Sequence, residues 1–445
     1  MFFKRFRAKK ELTTRALQGI LELLPGDQIA FDKMKQMIQE VYESFGYIPL
    51  DTSVLEREEI LLAKAGGDTE KEIYRIKKGD NDLALRFDLT IPFARYVSEH
   101  SRELNFPFRK YQIGRAYRGE RPQRGRYRDF YQCDVDVVGD GELSQRYDAE
   151  IINIIYTTFS KLNVGPFVVR ISNRKILNGF LESLQLQDKA PYILRIIDKL
   201  AKIGTDKVRE MLSKEKVSDD QISEILNFVT ISGTNLNVLA KLQSMKIENE
   251  SYKTGLDELV QVVNCLDDFQ VPSDYYKIDL TIVRGLDYYS GTVFETFLVD
   301  DPALGSICSG GRYETLLSGF GDRKIPGVGA GLGLTRLFVP FKEKGLVKTE
   351  IKTPTKVLIV PLISDMKVPA DLAKSLRSRG VKTEIFLDDV PMKKKLNYAN
   401  KQGIPFVIFI GDDEIRTDTY TVKNMKTGVQ QKVTANDIFK ALSAN

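Results

Sequence analysis

The residues from about 187 to 270 carry helical periodicity and interrupt a chain that is otherwise rich in strand patterns. In this stretch, "APYILRIIDKLAKIG" and "SDDQISEILNFV" place apolar residues at helical spacing, and strand signals nearly vanish. Strand patterns return with "YKIDLTIVRGLDYYSGTVFETFLV". A helical stretch between two β-rich stretches predicts an α+β domain whose sheet is completed after a helical insertion.

Two amphipathic helices are predicted before this interruption. Residues 27–46 place apolar side chains on one face, with Asp27 as the expected N-cap and Gly46 as the C-terminal stop. Residues 143–162 have the same helical spacing of apolar side chains. Both helices therefore have an apolar face with which to pack on a sheet.

The end of the chain has a different pattern. After the polar segment "KEKGLVKTEIKTPT", the buried-type strands "KVLIVPL", "VKTEIFLD" and "IPFVIFIG" alternate with helices that end near Gly380 and Gly403. This alternation predicts a small α/β domain with a mostly parallel sheet. Residues 354–445 carry 15 lysines and arginines against 10 acidic residues, which accounts for the whole net charge of +5. Such a domain either faces a polyanionic partner or is merely well solvated.

Composition excludes several kinds of chemistry. His100 is the only histidine, which argues against Ser-His-Asp hydrolases and Cys-His nucleophiles and removes multi-histidine metal sites. Cys133, Cys265 and Cys308 are far apart, which argues against a zinc site or a disulfide framework and favours a reducing, cytoplasmic compartment. No apolar run approaches the roughly 18 residues that a membrane span needs. The basic start "MFFKRFRAKK" lacks the apolar region of a signal peptide and is expected to be a tail or a first strand.

Residues 108–139 hold the densest functional signal. Two strand-like runs flank the loop "GERPQRGRYR", and from 109 to 128 there are seven arginines and one lysine against a single acid, Glu120. Such a density of guanidinium groups favours phosphate binding over a solvated face. In the second strand, a period of two places Phe130, Gln132, Asp134 and Asp136 on one face. Such a face makes a poor hydrophobic core but a good pocket. In that pocket the phenyl ring and a guanidinium group would hold a nucleotide base and phosphates, and the carboxylates would hold a cationic ligand.

Three other segments are ambiguous by themselves. "RGLDYYSGTVFE" (284–295) is either an ordinary half-buried strand or a pocket wall. The glycines of "PGVGAGLGLTRL" fit neither a dinucleotide-binding motif nor a P-loop, and indicate a close-packed strand-to-helix turn that presents Arg336 to an anion. "ALRFDLTIPFARYV" places Arg86 and Asp88 on one face of a predicted strand, where a structural ion pair is the simpler interpretation, and Pro92 is expected to end the regular run.

Together these segments resemble a class II aminoacyl-tRNA synthetase, and specifically the histidyl-tRNA synthetases. "YRGERPQRGRYRDFYQ" is similar to motif 2 of the class, and "GVGAGLGLTRL" is similar to motif 3. "RGLDYYSGTVFE" and "CSGGRYETL" resemble the two segments peculiar to the histidine enzymes, and "KVLIVPL" to "GIPFVIFIGDDEI" resembles their anticodon-binding domain. The resemblance therefore spans nearly the whole chain.

The resemblance implies a role for individual side chains. As catalytic residues it implies Arg284 and Arg118, on opposite sides of the α-phosphate of ATP. Phe130 would stack on adenine, and Asp136 would accept a hydrogen bond from an imidazole nitrogen. The residues implied in ATP binding are Arg118, Glu120, Arg126, Phe130 and Arg336. The residues implied in histidine binding are Asp88, Leu89, Thr90, Arg118, Gln132, Asp136, Arg284, Tyr288, Tyr289 and Tyr313.

The same resemblance implies the organisation and the partners. The expected division is a catalytic domain in two parts, 1–186 and 273–345, a helical insertion at 187–272, a linker at 346–353 and an anticodon-binding α/β domain at 354–445. The expected partners are L-histidine, ATP, tRNA(His) and a second copy of the chain in a homodimer, with no membrane. Mg²⁺ is expected with ATP, without assigned ligands. Ser53 stands where the family's motif 1 usually has proline, which bears on the local geometry of the dimer interface.

Two rival functions remain open from the sequence. One is the synthetase-like regulatory subunit of ATP phosphoribosyltransferase, which binds histidine without aminoacylating tRNA; the arginine-rich motif 2, Arg284 and the C-terminal domain argue against it. The other is a class II synthetase for a different amino acid. The paired tyrosines and the amide and carboxylate at Gln132 and Asp136 suit a polar ring that both donates and accepts hydrogen bonds.

Overall fold

A computed structural model of the chain describes residues 13–62, 68–282, 288–314, 323–347 and 351–443. The contacts divide the chain into two compact units, Met1–Glu22 with Met34–Glu343 and Leu23–Lys33 with Lys344–Asn445. The first unit contains two sheets and most of the helices, and the second contains one sheet. None of the described helices combines the length and apolar character that crossing a bilayer requires.

The large sheet of the first unit has eight strands, and its centre is antiparallel. The strands, numbered along the whole chain, are β1 (Ile48–Pro49), β5 (Phe108–Tyr117), β6 (Asp129–Val138), β7 (Phe167–Asn173), β8 (Tyr276–Ile278), β9 (Thr292–Leu298), β10 (Cys308–Tyr313) and β11 (Gly327–Gly333). Their order is β1-β5-β6-β11-β10-β9-β7-β8, with parallel pairing only at the two ends, between β1 and β5 and between β7 and β8. The central strands β6 and β11 pair although almost 190 residues separate them.

The hairpin predicted at 108–139 is confirmed: β5 and β6 are antiparallel neighbours that flank the arginine-rich loop. A second prediction for this sheet is confirmed in part. Within the described part of "RGLDYYSGTVFE", β9 begins at Thr292, and Tyr288 to Gly291 form a turn and irregular chain before it. Residues 283–287, which include Arg284, lie outside the described residues.

A small antiparallel sheet precedes the helix that follows the "RFDLT" segment. It consists of β2 (Leu55–Arg57), β3 (Arg75–Lys78) and β4 (Asn81–Leu85), in the order β2-β4-β3. Strand β4 ends at Leu85, so the prediction that Arg86 and Asp88 lie on a strand is wrong. Pro92 does not end a regular run either, because it lies in the first turn of α4 (Thr90–Glu99), where backbone N–H groups have no intrahelical partner.

Five more helices are described before the interruption, and α5 (Arg146–Leu162) packs against strands of the large sheet. They are α1 (Pro25–Ser44), α2 (Glu58–Leu62), α3 (Asp68–Lys71), α5 (Arg146–Leu162) and α6 (Arg174–Ser183). Helix α1 begins at Pro25, two residues before the predicted start, so Asp27 lies in its first turn and not at the N-cap. The fixed φ of proline suits the first helical turn, which accounts for the earlier start. Helix α5 falls within the predicted residues 143–162.

The predicted helical stretch contains five helices. They are α7 (Ala190–Ile197), α8 (Leu200–Lys214), α9 (Asp219–Val229), α10 (Asn235–Ser244) and α11 (Glu250–Asp268). Helix α8 is broken at Gly204, whose φ of 79° is left-handed. Helix α11 packs closely on α6, because a Cβ on Gly179 of α6 would lie 2.4 Å from the backbone nitrogen of Tyr252.

The first unit ends with α12 (Leu334–Glu343), which follows β11 directly. The second unit is built on the five-stranded sheet β13-β12-β14-β15-β16. Its strands are β12 (Val357–Pro361), β13 (Thr383–Ile385), β14 (Phe406–Ile410), β15 (Thr419–Asn424) and β16 (Gln430–Thr434), and its helices are α13 (Lys367–Ser378), α14 (Met392–Gln402), α15 (Asp412–Thr417) and α16 (Ile438–Ser443). The three predicted strands form the parallel part, and an antiparallel hairpin of β15 and β16 extends it.

Candidate active site

A cavity of about 510 Å³ opens on the face of the large sheet, between the arginine-rich loop, β6, β10 and β11. Its volume is in the range of small-molecule sites. The cavity brings together ten of the predicted site residues: Thr90, Arg118, Glu120, Arg126, Phe130, Gln132, Asp136, Tyr288, Tyr289 and Arg336. Residues that the chain separates by more than 200 positions therefore share one pocket.

The other predicted site residues are not in this lining. Asp88 and Leu89 are fully buried just behind it, and Tyr313 is buried with its hydroxyl 3.2 Å from Oδ1 of Asp136. Arg284 lies outside the described residues. His100 stands at the C-terminal end of α4, with its ring 4.6 Å from that of Tyr96.

The cationic end of the cavity is formed by the loop between β5 and β6. Arg118 follows the end of β5, donates from Nε to the carbonyl oxygen of Phe87, and holds its guanidinium 5.2 Å from the centre of the Phe130 ring. Arg126 pairs with Glu120, with 3.0 Å between Nη1 and Oε2. Phe130 is half-buried. Its ring contacts the Arg118 guanidinium and also lines the open cavity.

Arg336 reaches the same end of the cavity from α12. Its Nη2 donates to the carbonyl oxygen of Leu304, and among the described residues its buried Nε has no hydrogen-bond partner. Burial, and then the nearby Arg126, lower the pKa of the Arg336 guanidinium. Burial also raises the pKa of Glu295 on β9 to about 7. A polyanion would relieve the repulsion among these arginines.

The opposite end of the cavity is built from carboxylates over the sheet. Lys110 on β5 and Asp136 on β6 are register partners, and both are buried. Lys110 Nζ lies 2.6 Å from Asp136 Oδ2, an ion pair whose angles are not those of an aligned hydrogen bond. The Lys110 ammonium also lies 4.5 Å from the centre of the Phe93 ring. Asp136 thus carries a compensated charge at the floor of the pocket.

Asp88 adds a carboxylate where α4 begins. Its Oδ1 accepts a hydrogen bond from the backbone N–H of Ile91, 3.1 Å away, and Oδ2 has no partner among the described residues. Burial raises the pKa of Asp88 to about 6, while the Ile91 N–H and Arg118 favour its ionised form. The ion pair expected between Arg86 and Asp88 is not formed, because Arg86 donates to the backbone carbonyls of Thr52 and Arg115.

Three tyrosines build this end of the site, with Tyr288 and Tyr289 in the cavity lining and Tyr313 buried behind it. The rings of Tyr288 and Tyr289 are 4.9 Å apart, and those of Tyr288 and Tyr313 are 6.1 Å apart and nearly perpendicular. Tyr288 and Tyr313 belong to a buried apolar cluster that includes Phe93 and Phe108. Packing of this kind gives the pocket a rigid wall of edge-to-face aromatic rings.

The glycines of motif 3 form a bare stripe on strand β11 and are not themselves the turn, although the strand passes directly into α12 and Arg336 lines the cavity, as predicted. Gly327, Gly329, Gly331 and Gly333 all lie within the strand, on one face of the sheet. A Cβ on Gly329 would lie 1.9 Å from Oδ1 of Asp136, and one on Gly331 would lie 2.7 Å from Nε2 of Gln132. The glycines therefore leave the space into which the pocket side chains of β6 extend.

Sequence patterns alone miss several residues of the pocket. Lys110 is counted in the sequence only as one of the cations of the arginine-rich segment. The signal that could have found it is the hairpin register, because counting back from the loop along both strands places Lys110 opposite Asp136. Asp134 is predicted on the pocket face without a role of its own, and it lines the cavity. Asp198 and Lys202, from the region of α7 and α8, also line the cavity, and no local pattern links the helical stretch to the sheet.

Comparison with known proteins agrees with this geometry. Residues 19–337 match the family model described as histidyl-tRNA synthetase, and residues 356–445 match that of an anticodon binding domain. The chain belongs to the histidyl-tRNA synthetase family. Within that family, it is 49% identical to a histidine–tRNA ligase from Clostridium tetani over 96% of this chain and 97% of the relative. It is 44% identical to one from Finegoldia magna over 96% and 98%.

Solved structures show the same fold. A histidyl-tRNA synthetase from Nostoc sp. PCC 7120 superposes with a TM-score of 0.87 at 37% identity, covering 98% of this chain and 100% of that one. A Bacillus halodurans protein described as ATP phosphoribosyltransferase regulatory subunit/histidyl-tRNA synthetase has a TM-score of 0.74 at 23% identity, covering 90% and 99%. At that lower identity the likeness is one of fold. The mixed α+β sheet with helices and the C-terminal α/β domain are thus those of the histidyl-tRNA synthetases.

Proposed function

We propose that the cavity on the large sheet activates L-histidine with ATP and then transfers it to the 3′ end of tRNA(His). As a member of the histidyl-tRNA synthetase family, the protein is an ATP-dependent aminoacyl-tRNA ligase. The observation that carries the proposal is that one cavity joins an arginine-rich end to an end of carboxylates, an amide and tyrosines. That arrangement fits a triphosphate and a small polar cation side by side.

Activation requires no general base. The histidine carboxylate, already ionised at neutral pH, attacks the α-phosphorus; the new carbon–O–P bond forms as the bond to the β-phosphate oxygen breaks and pyrophosphate leaves with the electron pair. In the second step, a hydroxyl of the terminal tRNA ribose attacks the carbonyl carbon; the bond from that carbon to the phosphate oxygen breaks, and AMP leaves with its electron pair and takes the proton of the hydroxyl on a phosphate oxygen. Catalysis then consists of alignment and stabilisation of negative charge, for which arginines suffice.

The arginines have separate tasks in this proposal. Arg118, fixed by the Phe87 carbonyl, contacts the α-phosphate and the histidine carboxylate, and Arg284 contacts the α-phosphate from the other side. Arg126 and Arg336 hold the β- and γ-phosphates, with Glu120 orienting Arg126. Phe130 stacks on adenine in the space beside Arg118.

The carboxylate end holds the amino acid. Asp88 Oδ2, which has no partner among the described residues, binds the α-ammonium group together with Thr90 at the start of the same helix, and Leu89 fixes this segment in the core. Asp136 accepts from an imidazole nitrogen, and Gln132 supplies an amide beside it. Tyr288, Tyr289 and Tyr313 enclose the ring, and the Tyr313 hydroxyl orients Asp136.

Mg²⁺ fits this site as a companion of ATP. Among the described residues there is no cluster of three or more acidic, cysteine or histidine side chains that could hold a metal ion alone. The ATP phosphates would therefore supply most of the ligands, with Glu120 and Glu295 as the nearby carboxylates. When bound, the ion neutralises charge on the leaving pyrophosphate.

The remaining assignments concern the whole chain. The division into a catalytic domain at 1–186 and 273–345, an insertion at 187–272, a linker at 346–353 and an anticodon-binding domain at 354–445 is part of the proposal, as are a homodimer and a cytoplasmic location. The helical succession α7–α11 and the basic α/β unit at the end of the chain support this division. The basic unit would contact tRNA(His) phosphates.

The deciding experiment is ATP–pyrophosphate exchange with each of the twenty amino acids. Exchange is expected with histidine alone, followed by charging of tRNA(His). Exchange with a different amino acid would replace the substrate assignment. Histidine binding without exchange would instead favour the non-catalytic regulatory function.

A further inference from the structure

Asp134 is a buried carboxylate of the pocket to which the proposed reaction gives no task. It is 2% exposed and lies on the same face of β6 as Gln132 and Asp136. Its Oδ2 accepts a hydrogen bond from Gln132 Nε2, 3.1 Å away, and among the described residues its Oδ1 has no partner. A buried carboxylate oxygen without a donor is costly, so its retention in a cavity wall points to a ligand.

The position of this free oxygen is defined by the bare stripe of β11. Asp134 and Gly331 are register partners, and a Cβ on Gly331 would lie 2.9 Å from Oδ1 of Asp134. The neighbouring pair is Asp136 and Gly329, with Oδ1 of Asp136 in the corresponding place. The two carboxylates thus extend side by side over two glycines of β11. Because these glycines have no side chains, they leave this part of the cavity open.

The charges of the two carboxylates differ. Asp136 is in direct ion-pair contact with the Lys110 ammonium, whereas the direct partner of Asp134 among the described residues is the amide of Gln132. Burial, opposed by Lys110 and reinforced by Asp136, raises the pKa of Asp134 to about 7. Near neutral pH, Asp134 can therefore accept from an N–H as a carboxylate or donate to a lone pair as a carboxylic acid.

We propose that Asp134 is a second imidazole-binding residue, which engages one ring nitrogen of histidine while Asp136 engages the other. This inference rests on the proposed function, because it assigns the ring of the same substrate. An imidazole presents two nitrogens on opposite sides of a five-membered ring, and two carboxylates satisfy both. The pocket then selects the ring by requiring two nitrogens, since a ring with one nitrogen leaves a buried carboxylate unpaired.

The test uses two histidine analogues, each with one ring nitrogen. In 3-(thiazol-4-yl)alanine sulfur replaces the ε nitrogen, and in 3-(thiazol-5-yl)alanine sulfur replaces the δ nitrogen. The readout is kcat/KM in ATP–pyrophosphate exchange for wild type, Asp134→Asn and Asp134→Ala. Asp134→Asn is expected to lower kcat/KM for histidine by about 10- to 100-fold. It is also expected to relax, by about tenfold or more, the discrimination against one thiazole isomer and not the other.

The control is Asp129→Asn. Asp129 lies on the same strand, pairs with Arg115 and is not in the cavity lining, so its substitution should leave both discrimination ratios unchanged. A purely structural role for Asp134 would lower activity on histidine and on both thiazoles by one common factor, and that result would overturn the inference. Unchanged kinetics in Asp134→Asn would overturn it as well. The proposed function fails separately, if wild type shows no histidine-dependent exchange.

Discussion

At the residue scale, the buried carboxylate of Asp134 costs the folded protein stability near neutral pH. Its folded-state pKa of about 7 is above the ordinary value of 3.8 in the unfolded chain, because of burial. Between these two values the folded state binds more protons than the unfolded state, so raising the pH across this window lowers the free energy of unfolding. Asp134→Asn should remove this loss and be the more stable protein at pH 7.5, by on the order of a few kcal/mol.

Urea unfolding of wild type and Asp134→Asn at pH 4.5, 6 and 7.5 measures this difference. The gap in unfolding free energy between the two proteins should widen as the pH rises. Asp140→Asn is a useful comparison, because that exposed carboxylate pairs with Arg323 and its pKa is lowered. A gap that stayed constant with pH would show that Asp134 titrates no differently in the two states.

A second prediction at this scale concerns Arg284. In the proposed reaction its guanidinium stabilises charge on the α-phosphate only as the bond forms. Arg284→Ala should therefore lower kcat of exchange by about 100-fold or more, while the affinities for ATP and histidine stay within a few-fold of wild type. Single-turnover adenylate formation with equilibrium binding of each substrate measures the two effects. Weaker binding with normal turnover at saturation would contradict the assigned role.

Much of the pocket could be predicted at the residue scale. The period of two in β6 predicts that Gln132 and Asp136 share one face, and the cavity includes both. That Asp134 Oδ1 has no partner among the described residues could not be predicted, because the hydrogen bonds of a buried oxygen depend on every neighbouring side chain. The contact of Arg118 with the Phe87 carbonyl is of the same kind, since it joins segments 31 residues apart.

At the scale of the element, strand β11 shows why one prediction failed. A strand is recognised by alternating side chains, and glycine at every second position removes that signal from one face. The same composition is typical of turns, and the sequence therefore favours a turn at this place. Helix α4 is misleading for a related reason, because Pro92 is a helix breaker only beyond the first turn. Regular amphipathic elements such as α5 were predicted well.

The bare face of β11 should be intolerant of even one methyl group. In Gly329→Ala the new Cβ would meet Asp136 Oδ1 at 1.9 Å and the carbonyl oxygen of Val135 at 2.8 Å, and the backbone atom cannot turn away. We expect kcat/KM for histidine to fall by at least about 100-fold. Gly331→Ala meets only side-chain ends, at Gln132 and Asp134, and should lose about tenfold.

Exchange kinetics of the two alanine variants, with ATP saturating, give the comparison. Their thermal unfolding should be recorded in parallel, so that loss of the fold is not mistaken for loss of the pocket. Equal losses in the two variants, or a larger loss in Gly331→Ala, would contradict the packing described for this stripe.

Helix α8 makes a separate prediction. Lys202 lies on the short helical turn before the break at Gly204 and lines the cavity that Glu295 also lines. An exposed cation at this place should add modestly to phosphate binding, so Lys202→Ala should raise the KM for ATP by about three- to fivefold and leave the KM for histidine unchanged. Lys207→Ala, beyond the break and outside the cavity lining, is the matched control. An equal rise in both KM values would contradict a contact with phosphate.

At the scale of the whole molecule, the charge distribution predicts how salt acts. The net charge of +5 comes from residues 354–445, and the cationic residues of the rest of the chain are balanced by acidic ones. Raising the salt from about 50 to 200 mM should raise the KM for tRNA(His) by at least about tenfold, because phosphate contacts release counterions. Histidine-dependent exchange needs no tRNA and should change by less than about twofold. Similar salt responses of the two reactions would contradict phosphate contacts between tRNA(His) and the basic residues of 354–445.

The strand order of the large sheet also has a consequence during synthesis on the ribosome. Strand β6 is complete at Val138, but its neighbour β11 ends only at Gly333. At about 5 to 20 residues per second, translation leaves the growing chain with an open β6 edge for roughly 10 to 40 seconds. During that time the Asp134 and Asp136 side chains lie beside unpaired backbone groups, to which any other nascent strand can add. The order in which this chain emerges therefore leaves the β6 edge of nascent copies open to other strands until the last central strand arrives.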